Sequence, residues 1–223
     1  MKSAWDDSGC HLPARHLIPS PLPLFPLSTV LFPGGLLPLR IFEVRYLDLV
    51  QQCQRDGQPF GVVALHQGSE VRRAGAPAEE FLQVGTLAHV RQFDKPQPGL
   101  IHIVCEGGAR FRIQAARQLP HGLWTADAEA LPADAAVAVP DDLRPVSQAL
   151  AQLLDSLDER GIPKDQWPVQ PPWQLDDCAW VANRWCELLP LPAATRQQLM
   201  ELDNPLVRLE LVGDLLARQG RSG

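Results

Sequence analysis

The sequence predicts an α+β fold, with a curled β-sheet or small barrel in the first half and an α-helical bundle in the second. Three observations carry this. Short β-type runs, punctuated by Pro and Gly, fill residues 22–126. An Ala/Pro/Asp-rich stretch follows at 131–141. Beyond it the apolar spacing switches to a helical period.

The chain has 223 residues, enough to bury a substantial core in one large domain or two small ones. Residues 1–20 are polar and aperiodic and are expected to be a flexible lead. Order should begin near Leu22, with Leu-Pro-Leu-Phe-Pro-Leu through Leu27, then Val30-Leu31-Phe32 and Pro33-Gly34-Gly35. Proline is excluded from helix interiors and central strands, so short, edge-like strands around a Pro-Gly turn are expected. Leu36 to Phe42 returns as another strand. Phe42, Tyr46, Leu49, Val50 and Cys53 then fall on one helical face, and the helix should stop by Gly57, with Pro59 just beyond.

Phe60 to Leu65 is apolar and β-rich, and Phe81 to Phe93 alternates through Val84, Thr86, Ala88 and Val90. Asp94 to Gly99 reads as a hairpin connection into Leu100–Val104. Gly107-Gly108 reads as a turn into the alternating run Arg110–Ile113, and Leu123 begins one more strand. Strands at this spacing suggest a closed or curled sheet.

In the second half, Val146, Leu150, Leu153, Leu154 and Leu157 form one helical stripe that ends at Gly161 and Pro163. A Pro/Trp loop runs from Trp167 to Trp173. Leu175, Ala179, Ala182, Cys186 and Leu189 form a second stripe. Pro192 suits the first turn of a third helix reaching about Leu202. Asn204 is a good N-cap and Pro205 a good first residue for a fourth. The expected division is therefore a lead at 1–20, a β domain at 21–130, a linker at 131–141 and a helical domain at 142–220.

Composition removes several functions. The net charge is -6, which disfavours nucleic acid as a partner. Arg110, Arg112 and Arg117, with Arg72-Arg73, are the one candidate basic patch, and RNA binding through it is the alternative reading. No run approaches the ~20 apolar residues of a membrane helix, and the first 20 residues lack the pattern of a secretory signal. The five cysteines (Cys10, Cys53, Cys105, Cys178 and Cys186) are odd in number and widely spaced. They fit a reducing cytoplasm and buried thiols better than a disulfide framework.

Catalytic constellations are missing. There are three lysines, and Lys2, Lys95 and Lys164 all lack the Gly-Lys-Ser/Thr context that lets a lysine reach nucleotide phosphates. None is placed to activate a serine, and there is no Gly-x-Ser-x-Gly elbow. His89 and His102 lie on the two arms of the expected hairpin, without a fixed third ligand. Cys178 and Cys186 stand two helical turns apart, roughly 12 Å and too far to share a zinc. No metal, cofactor or catalytic residue is assigned.

The strongest specific signal is an ordered series of motifs. The opening Leu22–Leu27 and Val30–Gly34 runs lead into Leu37-Pro-Leu-Arg-Ile-Phe-Glu43 and Arg45-Tyr46. Gly68-Ser-Glu-Val71, Val84-Gly-Thr-Leu-Ala88, Cys105-Glu-Gly-Gly-Ala-Arg-Phe-Arg-Ile113 and Leu188-Leu-Pro-Leu-Pro192 follow, then Arg196-Gln197 and Leu199 to Leu211. In this order they resemble the N-terminal substrate-binding domain of Lon proteases, over roughly residues 22–218. The resemblance implies a PUA-like β pseudobarrel with one or more helices, followed by a helical bundle. It also implies a stand-alone module without the ATPase and protease regions.

The implied partners are unfolded or extended polypeptide, a protease or chaperone that receives it, and a second copy of the chain. The peptide-binding candidates are Phe32, Arg40, Glu43, Arg45, Tyr46 and Glu70. Two readings stand for the group around Arg45. Arg40, Glu43 and Arg45 form an ion-pair cluster that pins the helix to the sheet, or they line a groove whose edge strand pairs with a peptide backbone. Trp167, Trp173, Trp180 and Trp185 fill the joint between the halves, or Trp167 and Trp173 face a partner.

Overall fold

β1 (Leu22–Leu27), β2 (Leu36–Ile41), β3 (Phe60–Gln67), β4 (Glu80–Gln97), β5 (Leu100–Gln118) and β6 (Trp124–Ala130) build one mixed sheet in the order β2-β5-β4-β3-β1-β6. The computed structural model describes residues 18–68, 70, 79–163 and 167–220. Most of the expected lead, together with Cys10, Arg72, Arg73 and Lys164, lies outside the described residues. β5 also pairs with β6, so the sheet closes on itself through β5, β4, β3, β1 and β6. β2 lies outside this ring, hydrogen-bonded to β5 alone among the described strands.

The prolines of β1 correct one expectation. β1 lies between β3 and β6 and is not an edge strand. Its two pairings are staggered: Leu22–Leu24 face β6 and Leu24–Leu27 face β3. They overlap only at Leu24, so each half of β1 has a free side on which a missing proline N–H costs nothing.

The two Gly107-flanking runs form one continuous strand, and Gly107-Gly108 is not a turn. β5 is 19 residues long and pairs with β4 from Leu100 to Arg112, with register shifts at Thr86/Ala88, Val90/Gln92 and Asp94/Gln97. A Cβ on Gly107 would stand 2.1 Å from the Phe32 carbonyl oxygen, so glycine is required by close backbone approach. The bulges add twist and let one hairpin serve both ends of the sheet.

α1 (Val44–Asp56) begins after Glu43 and ends at Gly57, which takes the left-handed conformation at φ 64°. Its buried face is Arg45, Tyr46, Leu49, Val50 and Cys53. Phe42, the expected first member of that face, precedes the helix and is 55% exposed. α2 (Arg144–Glu159), α3 (Cys178–Leu188), α4 (Ala193–Glu201) and α5 (Pro205–Gly220) follow the sheet. Asp177 caps α3 by accepting the Trp180 N–H at 2.7 Å. Asn204 caps α5 by accepting the N–H groups of Leu206 and Val207. α3 is buried on nearly every side, including Val181, Asn183, Arg184 and Trp185, and does not carry the single stripe expected of it. It is the central helix of this half, so neighbours cover all its faces.

Sheet and helices share a core. Val30, Phe32, Ala64 and Val84 pack with Leu150, Leu154, Val181, Trp185 and Leu209. The 131–141 stretch is tied down along its length. Leu131 donates its N–H to the Arg110 carbonyl, and Val139 donates to Asp176. Asp134 accepts from Arg208 at 2.6 Å and from Arg110 at 3.2 Å.

Candidate functional site

β2 stops pairing at Ile41, yet the chain stays extended through Glu43 (φ -77°, ψ 132°) before α1 begins. Side chains of an extended chain alternate in direction. Pro38, Arg40 and Phe42 accordingly form a period-two exposed row, with Phe42 at 55%. Ile41 and Arg45 point inward between and after them. The row runs along the side of β2 that carries no strand among the described residues.

The face next to this margin is concave. A groove of about 560 Å³ runs over β2, β5 and β4, lined by Pro38, Arg40, Gln92, Asp94, His102 and Val104. Register sets the lining. Arg40 lies opposite His102, which lies opposite Asp94, while Pro38, Val104 and Gln92 form the neighbouring row. The intervening row of Leu39, Ile103 and Phe93 packs into the core, which fixes the other two rows on the solvent side. The Nε2 of His102 is buried without a hydrogen-bond partner. Among the described residues no ion pair forms at Arg40.

The other candidates separate from Arg40. Arg45 is buried; its Nε meets Glu43 at 3.2 Å, its Nη2 meets Glu79 at 2.9 Å, and its Nη1 donates to the Gly122 carbonyl at 2.9 Å. Its guanidinium also lies 4.5 Å from the Tyr46 ring centre. Tyr46 stacks on Phe25 with ring centres 3.8 Å apart, and burial pushes its hydroxyl pKa upward. Trp124 donates its indole N–H to Glu79 at 2.6 Å. The group therefore pins α1 to β1, β6 and the β3–β4 connection. Glu79 and Trp124 are its unforeseen members, because neither is near Arg45 in sequence and no local motif marks them.

Phe32 is fully buried in the shared core and is not a surface contact. Glu70 is half-buried and accepts the Ser28 N–H at 2.6 Å. Trp167 is buried, donates its N–H to the Ile162 carbonyl and stacks on Trp173 with centres 5.8 Å apart. Trp173 keeps 37% exposure. Arg110, the centre of the expected basic patch, is buried and donates to the carbonyls of Met200 and Leu202. Arg112 and Arg117 stay exposed without it. Burial raises the thiol pKa of Cys53 to about 11 and those of Cys105 and Cys186 to about 12, so they stay protonated and unreactive at neutral pH. Among the described residues no three His, Cys, Asp or Glu are grouped to hold a metal, and no helix is long and apolar enough to cross a membrane.

The described residues thus form a mixed α/β domain with an unpaired β2 margin beside a solvent-facing groove. Residues 21–218 match the family described as the ATP-dependent protease La (LON) substrate-binding domain, and the chain belongs to that family. A crystal structure of a Lon N-terminal domain protein from Xanthomonas campestris is 33% identical, with a TM-score of 0.64, covering 88% of this chain and 96% of that one. The N-terminal domain of a Mycobacterium avium complex Lon protease, at 18% identity and a TM-score of 0.53, shares the fold. Lon protease of Anaeromyxobacter dehalogenans is 27% identical over 208 residues, which span 91% of this chain and 24% of that protein. Lon protease of Paraburkholderia phytofirmans is 29% identical over 203 residues, again 24% of its length. The chain thus spans about a quarter of these relatives, and the matched family is that of their substrate-binding domain.

Proposed function

We propose that this domain holds extended segments of unfolded polypeptide along the open margin of β2 and passes them to a partner that unfolds or degrades them. The unpaired margin of β2 beside the Arg40 groove carries the reading. Backbone N–H and C=O groups at a free sheet edge accept any extended chain, and the flanking side chains then select among them. We read the closed sheet as a PUA-like pseudobarrel and α2–α5 as a helical bundle, divided by the 131–141 linker. Glu43, Arg45, Tyr46 and Glu70 act in this reading as the frame that holds the margin in place. Trp173 is a candidate contact for the partner, with Trp167 stacked behind it. Free, buried cysteines favour a reducing, cytoplasmic setting.

Titration of a fluorescent, permanently unfolded polypeptide against the protein and against Phe42→Asp tests the proposal. Saturable binding that weakens at least threefold in the variant is expected. Equal binding by both proteins removes β2 from the site, and no binding at high micromolar concentration refutes the proposal.

A further inference from the structure

The exposed row gives the margin a sequence preference. We infer that β2 selects extended segments carrying an acidic side chain with an apolar side chain two residues to either side. This rests on the proposed pairing of a polypeptide with β2 and adds the chemistry of the chosen segment.

A strand laid on β2 places one of its residues directly opposite Arg40, with Cβ atoms about 5 Å apart. The residues two positions before and after it then face Pro38 and Phe42, on the same side of the sheet. The pattern is symmetrical about its centre, so it holds whether the segment runs parallel or antiparallel to β2. Pro38 and Phe42 offer exposed apolar surface, and Phe42 alone is 55% accessible. Arg40 is exposed, lines the groove and has no ion-pair partner among the described residues.

The nearest acid in its row is Asp94, on the far side of β5. Two strand spacings put it roughly 10 Å away. That is about one Debye length in physiological salt, so Asp94 is a screened neighbour. A carboxylate on a strand beyond β2 would stand at half that distance from Arg40 and farther still from Asp94. It would thus gain the attraction with little of the repulsion.

The test uses four eleven-residue peptides with a Val-Thr-x-Thr-Val core. Three have both termini blocked and carry Glu, Gln or Lys at x. The fourth carries Gln and a free C-terminal carboxylate. Each is titrated against the protein and against Arg40→Glu, with thermal melts confirming that the variant is folded. The Glu peptide is expected to bind about two- to fivefold tighter than the Gln peptide, the size of one cross-strand ion pair. The Lys peptide should be weakest, and Arg40→Glu should invert the order. Equal affinities of the three blocked peptides overturn the inference, as does an order unchanged in the variant. Preference for the free carboxylate over the internal Glu also overturns it. If unfolded polypeptide binds while the peptides are not discriminated, the inference alone falls. If neither binds, both fall.

Discussion

At the joint between sheet and helices, Arg110, Arg184 and Arg208 are buried, and each donates to at least two backbone carbonyls. At the margin of β2, Arg40 is exposed and no ion pair engages it among the described residues. The two regions use the same side chain in opposite ways. A guanidinium surrounded by turns and helix ends satisfies orphan carbonyls and becomes part of the frame. One on a solvated edge strand keeps its hydrogen-bonding capacity for something that arrives later.

Removing charge from the joint should do the most harm. Arg208→Met takes the donor from the Leu199 carbonyl and the Asn183 side chain and leaves Asp134 and the Leu202 carbonyl to Arg110 alone, and is expected to cost about 3–5 kcal/mol in urea unfolding. Arg45→Ala leaves Glu79 facing Trp124 without its cation. It should cost about 2–3 kcal/mol and loosen α1, seen as faster amide exchange at its N-terminal turn.

Glu187 gives a smaller effect with a sign. Burial pushes its carboxyl up to about 7, against the opposing pull of Arg184 and Arg196. The folded chain therefore favours the neutral acid. The stability this contributes is complete below the ordinary carboxylate value and is lost as pH rises through about 7. Glu187→Gln should remove that loss, gaining about 1–2 kcal/mol on the parent between pH 5 and pH 8 in paired denaturation curves. One-fifth of the side chain stays accessible, which holds the effect to that range. Arg40→Gln should change stability by less than about 0.5 kcal/mol. A large loss there would erase the contrast between frame and margin.

Much of this frame was legible in the chain. Asn204 and Pro205 announced α5, and Gly57 with Pro59 closed α1, because caps and breakers act through neighbours in sequence. The order of motifs from Leu22 to Leu211 pointed to the family. What escaped depends on distant partners. Gly107 looked like a turn because its reason, the Phe32 carbonyl, lies 75 positions away in sequence. Arg40 and Arg45 looked equivalent because their difference is Glu79. Phe42 fitted the helical period of α1 but belongs to the two-residue period of the strand before it, and only burial tells the two apart.

Pro38 belongs to the same exposed row as Arg40 and Phe42. A sheet margin open to visiting chains is open equally to its own copies, and such edges invite aggregation. A proline supplies no donor to a neighbouring strand, and two β2 strands brought edge to edge would bring their arginines together as like charges. The same two residues that permit a guest of suitable charge therefore discourage the protein from becoming its own guest.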